Sequence, residues 1–467
     1  MQRRPSVPRL AQGALARARG GAGLLALLGA LAGCAEEPAG ARSLILLSLD
    51  TLRADHLSAY GYPRPTSPQL DAFAASATLY TRAMASAPWT LPSHASLFTG
   101  LDPFEHGAHS FRASGPGENA WALAPEHRTL AEALAEEGFA TAAFVANSSY
   151  LTPRTGLDQG FATFEVKRER AREKNRRVLA WLEQQRGRRF FLFVNTMDTH
   201  PPYNLERWPP WLGSPPNRSP ALARRLYEVV MPGDAPPPAD LVRQVVDQYD
   251  ASIANLDDAL GELFAGIAAL GLLDEALIAV TSDHGEYLGE HRLLWHSKDV
   301  HQPVLWVPLI LRAPGQRAGR RVETPLSSAH VPHLIAGAFE PALAARLQVL
   351  FPRAAGADPV LAENYYTRAR DLLDPRWGWR FDRVRRAFYE WPWKYVESSD
   401  GQHELYDLAA DPGEERNRIR ERPERARELA SRLAARLERA PGAGTGPRLA
   451  DPDAAELEEL RALGYAP

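Results

Sequence analysis

Four residues in three short runs have the types and order of a metal-assisted hydroxyl nucleophile. They are Asp50 in LSLDTLRADHL (47–57), Thr90 in PWTLPSHASLFTG (88–100), and Asp283 with His284 in TSDHGEYLGEH (281–291). An aspartate closing one apolar run and an Asp-His pair closing another offer hard oxygen and imidazole ligands to a single divalent cation. A threonine hydroxyl is a weak nucleophile at neutral pH, and contact with such a cation is one way to lower its pKa. Pro92 and the residues after it predict a helix beginning beside Thr90, whose first amides stabilise an attacking oxyanion or a bound anion. Residue preference alone makes Thr90 a helix cap, but the flanking pattern makes it the candidate nucleophile.

The elements that must position these residues alternate between strand and helix. Leu44 to Leu49 is a continuous apolar run suited to a strand buried on both faces, and Asp50 ends it. Thr66-Ser67-Pro68, then Leu70 and Phe73, predicts a helix with proline in its first turn. Thr129 and Glu132 form a capping-box pattern for a helix ending at Gly138. Phe139 to Ala146 returns as a strand with Asn147 at its end, and Phe190 to Asn195 is another, leading into Asp198 and His200. The charged stretch 166–189 predicts a helix with Val178, Leu179 and Leu182 inward and its charges in solvent. Residues 201–220, rich in proline with Trp208 and Trp211, predict a loop over a cleft.

Leu241 to Leu270 keeps helical spacing and precedes the strand Ala276 to Val280, whose end carries Asp283-His284. This pattern predicts an α/β fold, a mixed and mostly parallel sheet sandwiched by helices, with its site outside the carboxyl edge. Past residue 380, Trp393–Glu397 and Glu404–Leu408 flank an Asp-Gly turn as a β-hairpin, and charged helices follow at 423–440 and 453–463. We therefore expect a catalytic domain over 43–375 and a small C-terminal α+β subdomain over 376–467.

The 467 residues, 45% apolar and 24% charged, suffice for a large core. The first 33 residues hold five arginines, no acids and the apolar run Leu24 to Ala32, the pattern of a signal peptide and too short to span a bilayer as a helix. Leu31-Ala32-Gly33-Cys34 resembles a bacterial lipobox, which implies a lipid on Cys34, a tether over 34–42 and anchoring to a membrane of the cell envelope. Cys34 is the only cysteine, so no intramolecular disulfide forms. Without the leader, 49 of the 54 basic residues face 57 acidic ones, and nucleic acid is not an expected partner.

In their joint order these motifs resemble the sulfatase family of the alkaline phosphatase superfamily, from about Ser43 to the C-terminus. The resemblance includes His296 and Lys298 in WHSK and the tail HELYDLAADPGEERN. It implies an alkaline-phosphatase-like fold and a metal set of Asp50, Thr90, Asp283 and His284. His200 and His296 match substrate or second-metal positions, with His296 as proton donor to the leaving group and Lys298 as partner of an anionic oxygen. His94 and Asn147 are further substrate-binding candidates, and Arg53, His291 and His301 are secondary ones.

The chain departs from the family in ways that bear on chemistry. Formylglycine sulfatases carry Cys or Ser where Thr90 stands and Arg where His94 stands, and threonine cannot become formylglycine. A sulfated threonine has no aldehyde collapse open to it, whereas a phosphorylated threonine is resolved by attack at phosphorus. Thr51 replaces a second aspartate, which favours zinc or manganese over calcium or magnesium beside His284. The family's Lys-x-His element near Asn147 is absent. The expected function is hydrolysis or transfer of phosphoesters or phosphodiesters of envelope or extracellular substrates through Thr90. The alternatives are a sulfuric ester hydrolase without formylglycine, and a non-catalytic protein binding anionic glycans or headgroups.

Overall fold

Every residue of Ser43–Leu49 (β1) is buried, as an unbroken apolar run requires of a strand covered on both faces. This is seen in a computed structural model that describes residues 40–203, 205–213, 219, 221–356, 359–438, 446–451, 454 and 458. The leader, Cys34, most of the tether and all but two positions of the helix expected at 453–463 lie outside the described residues. β1 is joined by Thr78–Tyr80 (β2), Ala140–Val145 (β3), Thr163–Val166 (β4), Phe190–Thr196 (β5), Ala276–Thr281 (β6), Leu309–Arg312 (β7) and Arg320–Val322 (β8). They form one eight-stranded sheet in the order β8-β2-β7-β6-β1-β5-β3-β4. Only β7 is antiparallel to its neighbours; the other pairings are parallel.

The covering helices include Pro68–Ala74 (α1), Thr90–Thr99 (α2), Leu130–Glu136 (α3), Ala171–Gln184 (α4) and the 31-residue Ala239–Ala269 (α5). Alternation along β1 sends Ile45, Leu47 and Leu49 to one face, where they pack with Leu70, Val178, Leu182 and Ile253 of α1, α4 and α5. Leu44 and Leu46 point to the other, against Leu91, Leu97 and Phe98 of α2 and Leu130 and Leu134 of α3. Each such side chain, fully buried, contributes about 1.5–3 kcal/mol. The capping box at Thr129 forms as its sequence predicts. The strands β2, β7 and β8 extend the sheet at positions the pattern does not reveal.

Along α4 the expectation of a solvated charged face needs one correction. Lys174 is wholly buried and donates to the Asn195 carbonyl at 2.5 Å. Burial pushes its ammonium down to about 7.

Val360–Asn364 (β9), Arg385–Glu390 (β10), Trp393–Ser398 (β11) and Glu404–Asp407 (β12) form a second, antiparallel sheet in that order. The β11–β12 hairpin turns at Asp400-Gly401, where Gly401 takes φ +79. Leu361, Phe388, Tyr395 and Leu405 pack on Pro423–Glu438 (α6), while Val360, Ala362, Ala387 and Val396 join the core of the large sheet. The small sheet thus starts at β9, upstream of the expected boundary at 376. No helix among the described residues is long and apolar enough to cross a membrane.

Candidate active site

Four neighbouring parallel strands, β6, β1, β5 and β3, end on one edge, and each delivers a candidate residue there. β1 brings Asp50, β6 the pair Asp283-His284, β5 His200 after a short turn, and β3 Asn147. The register pairs Leu49 with Thr196 and Ser48 with Thr281, so these residues leave the sheet at one level. Thr51, a β-branched residue at φ +61, turns the chain sharply after Asp50, a conformation that persists only where surroundings enforce it. The enforcement is visible: the Tyr249 hydroxyl of α5 donates to the Thr51 carbonyl at 2.7 Å and accepts from the Arg53 amide at 2.9 Å. The Thr51 hydroxyl donates to the carbonyls of Asp50 and Thr199.

Ligand atoms of Asp50, Asp283 and His284 lie within 4.8 Å of one another, all buried. Asp50 Oδ1, Asp283 Oδ2 and His284 Nε2 have no hydrogen-bond partner. The His284 Nδ1 donates to the Gly285 carbonyl at 2.9 Å, leaving the Nε2 lone pair toward the carboxylates. Burial pushes the Asp50 carboxyl up to about 7, with the nearby Asp283 charge adding to it, and burial does the same to Asp283. Burial lowers the His284 imidazole, against the pull of Asp50. Two buried carboxylates and a neutral imidazole with partnerless atoms fit a divalent cation, which neutralises the charge that burial opposes.

Thr90 is the first residue of α2, and Trp89, extended at φ −164, holds the cap position. The Thr90 hydroxyl accepts from Asn147 Nδ2 at 3.3 Å, and the same nitrogen donates to Asp50 Oδ2 at 2.9 Å. Asn147 therefore ties the nucleophile candidate to the metal-ligand candidate. Its own Oδ1 accepts from the Ser149 and Tyr150 amides. His94 lies one turn along α2, fully buried, with Nδ1 donating to the Thr90 carbonyl at 2.9 Å and Nε2 accepting from Ser48 Oγ at 2.8 Å. Burial drives its imidazole down to about 3. Both His94 nitrogens are thus engaged by protein groups, on the Thr90 carbonyl and on Ser48.

His200 and His296 gather beside His284, with ring centroids 5.1 Å apart for His200–His296 and 4.5 Å for His284–His296. Burial holds both imidazoles well below their ordinary value. Glu286 faces His296 Nδ1 at 3.3 Å, and burial pushes its carboxyl well up, opposed by Lys298. Lys298 is buried and its ammonium pairs with Asp371 at 2.8 Å while also donating to the His296 carbonyl. These contacts tie Lys298 to the His296 loop and to Asp371. Asp198 accepts from the Ala171 amide at the start of α4. Arg53 pairs with Asp55 and Glu290, and His291 stacks on His301 at 3.8 Å, beside the small sheet.

Three contributors escaped the sequence analysis. Glu286 sits inside the TSDHGE run, where its place beside the Asp-His pair was the available signal. Asn195 Oδ1 accepts from the Ala146 and Asn147 amides, and Ser48 Oγ donates to His94, without a motif to mark either.

Comparison with known proteins agrees with this geometry. The chain is 32% identical to the choline-sulfatase of Rhizobium meliloti (strain 1021) over 171 residues, 37% of this chain and 32% of that protein. It is 30% identical to arylsulfatase K of Mus musculus over 184 residues, 38% of this chain and 32% of that protein. It thus matches about a third of the length of these curated relatives. The structure of phosphonate monoester hydrolase from Agrobacterium radiobacter superposes with TM-score 0.64 at 20% identity, covering 85% of this chain and 95% of that one, a likeness of fold. The sulfatase family model matches residues 42–341, which include β1, α2 and the Asp283-His284 pair, and the chain belongs to the sulfatase family.

Proposed function

We propose that this protein is a metal-dependent ester hydrolase or transferase in which the Thr90 hydroxyl is the nucleophile, acting on phosphoesters or phosphodiesters. The observation that carries the reading is the convergence of three buried, partnerless ligand atoms from two strand ends, with Asn147 linking that trio to a hydroxyl at a helix N-terminus. A divalent cation held by Asp50, Asp283 and His284, zinc or manganese by the donor set, supplies the positive charge that makes a nearby alcohol acidic.

Thr90 Oγ1 forms a bond to phosphorus as the bond from phosphorus to the leaving oxygen breaks. The hydroxyl proton is released to solvent, and the first amides of α2 stabilise the oxyanion. Glu286 faces His296 Nδ1 at 3.3 Å and orients the ring, so that His296 presents Nε2 as proton donor to the leaving alkoxide. Water, or an acceptor alcohol, then cleaves the threonyl phosphoester at phosphorus. The reading includes a lipid on Cys34 that holds the enzyme at the cell envelope, facing out of the cytoplasm.

A second reading, hydrolysis of sulfate esters, is supported by the names of the curated relatives. Intact-mass spectrometry after brief exposure to an aryl phosphate, a phosphodiester and an aryl sulfate separates the two. The proposal expects a phosphoryl adduct on Thr90 that Thr90→Ala abolishes. A sulfate-only rate, or turnover undiminished in Thr90→Ala, overturns it.

A further inference from the structure

Asn147 reaches Thr90 and Asp50 only while its amide keeps one orientation, which the Ser149 and Tyr150 amides enforce by donating to its Oδ1 at 3.1 and 3.0 Å. The turn that supplies those amides is itself tied down from far along the chain. We propose that residues 446–451, which follow α6 in the sequence, are a working part of the active site, and that Arg154 is the positioning residue through which they hold this turn. The inference rests on the ester-transfer reading above and names what keeps the partner of the nucleophile aligned.

Hydrogen bonds connect the segment to the nucleophile without a gap. Arg154 Nη1 donates to the Ala450 carbonyl at 3.2 Å and Nη2 to the Ser149 carbonyl at 3.1 Å, so one guanidinium joins the segment to the turn. Ser149 passes the restraint inward, since its own amide meets Asn147. From there Asn147 Nδ2 reaches Asp50 Oδ2 at 2.9 Å and Thr90 Oγ1 at 3.3 Å. A second path runs beside the first. The Glu118 amide donates to the Asp451 carboxylate at 2.8 Å, the Tyr150 hydroxyl donates to the Glu118 carboxylate at 3.3 Å, and Tyr150 meets Trp89, the cap of α2, edge-on at 5.3 Å.

Backbone bonds and apolar burial seat the segment on the large domain. The Ala122 amide donates to the Pro447 carbonyl and the Leu449 amide to the Ala120 carbonyl, each at 2.9 Å, and Leu449 is buried in the core shared with α2 and α3. Arg448 donates to the Glu118 carbonyl at 3.4 Å, with its guanidinium over the Phe111 ring. A Cβ at Gly446 would stand 2.1 Å from the Ala122 carbonyl oxygen, so only glycine permits so close an approach. The seat is therefore fixed, and Arg154 transmits it. A guanidinium carries its donors in a rigid plane and can hold two carbonyls at set positions, where an ammonium on a flexible stem holds neither as firmly.

The test uses the zinc-loaded full chain with an aryl phosphate, and follows kcat, zinc affinity and hydrogen exchange of the Ser149 and Tyr150 amides. Arg154→Met keeps the aliphatic stem but removes both bonds, while Gly446→Val displaces the segment and leaves Arg154 in place. Each should lower kcat or zinc affinity by about ten- to a hundredfold, the usual cost of losing a group that orients a ligand, and each should speed exchange of the two amides. Arg154→Lys should recover part of the loss. A double-mutant cycle separates positioning from general destabilisation: on an Asn147→Ala background Arg154→Met should cost nothing further, because the group it aligns is gone. Should Gly446→Val fail to fold, Leu449→Ala, which loosens the same seat, takes its place. Additive losses in the cycle, or amide exchange unchanged in folded Arg154→Met, overturn the inference. A wild type that forms no Thr90 adduct would sink the ester-transfer reading instead, and zinc affinity and amide exchange across the same variants would still decide this assignment.

Discussion

Two buried clusters of charge in this protein have opposite logic. Beside the small sheet, Lys394 pairs with Glu414 at 2.5 Å, both wholly buried, and Asp299 is held by Arg383 and Arg385. Burial opposes ionisation of Asp299, yet the two guanidinium groups keep its carboxyl well below the usual range. At the carboxyl edge of the large sheet, Asp50 and Asp283 are just as buried, but the third member of their trio is a neutral imidazole, and both are pushed up to about 7. Burial of charge does not by itself mark a functional site, since a matched pair is a structural solution. Anions gathered with no matching cation impose a cost that a ligand relieves.

Substitutions probe this contrast, and the largest effect is expected at the nucleophile. Thr90→Ala should lower kcat at least about a thousandfold while elemental analysis still finds the metal, because the trio is untouched. Glu414→Gln strands the Lys394 ammonium and should destabilise the protein by about 3–5 kcal/mol in urea unfolding. A stability unchanged by that substitution would remove one side of the comparison. Asn147→Ala, which unties Thr90 from Asp50, should reduce metal affinity or activity by about ten- to a hundredfold, as loss of a residue orienting a ligand does.

In metal-free protein the trio should behave in the opposite sense to the Lys394 pair. Asp283→Asn removes an ionisation that burial opposes and should raise metal-free stability above pH 7 by about 1 kcal/mol, read from thermal melts. The pH dependence follows with a definite sign. Folded carboxyls near 7, against 3.8 in the unfolded chain, hold protons that unfolding releases. Their contribution is fully present below about pH 4 and lost as pH rises through about 7, so chelated protein should melt lower at pH 7.5 than at pH 5. Metal reverses this, and the Tm difference between loaded and chelated protein should widen with pH. A difference that is flat across this range contradicts the ligand assignment.

What the sequence reveals about this site depends on how each residue reaches it. Asp50, Asp283, His200 and Asn147 end apolar runs, and buried parallel strands announce themselves by continuous hydrophobicity, so both the sheet and its productive edge are legible. The strands β2, β7 and β8 are short or peripheral and carry no clear period. The burial of Lys174 is not legible because helical patterning registers the apolar stripe and not a single long side chain turned under a strand end. His94 and Lys298 carry the right chemistry at the right place in the chain, yet their partners, Ser48 and Asp371, are distant in sequence and invisible to spacing.

The divided loyalty of β9, with Leu361 toward α6 while Val360 and Ala362 enter the large core, has a consequence in time. A ribosome releases the reactive edge, through His296, well before β12 emerges to complete the small sheet that packs against the large core. Until then a nascent or truncated chain carries its chemistry on an open shelf.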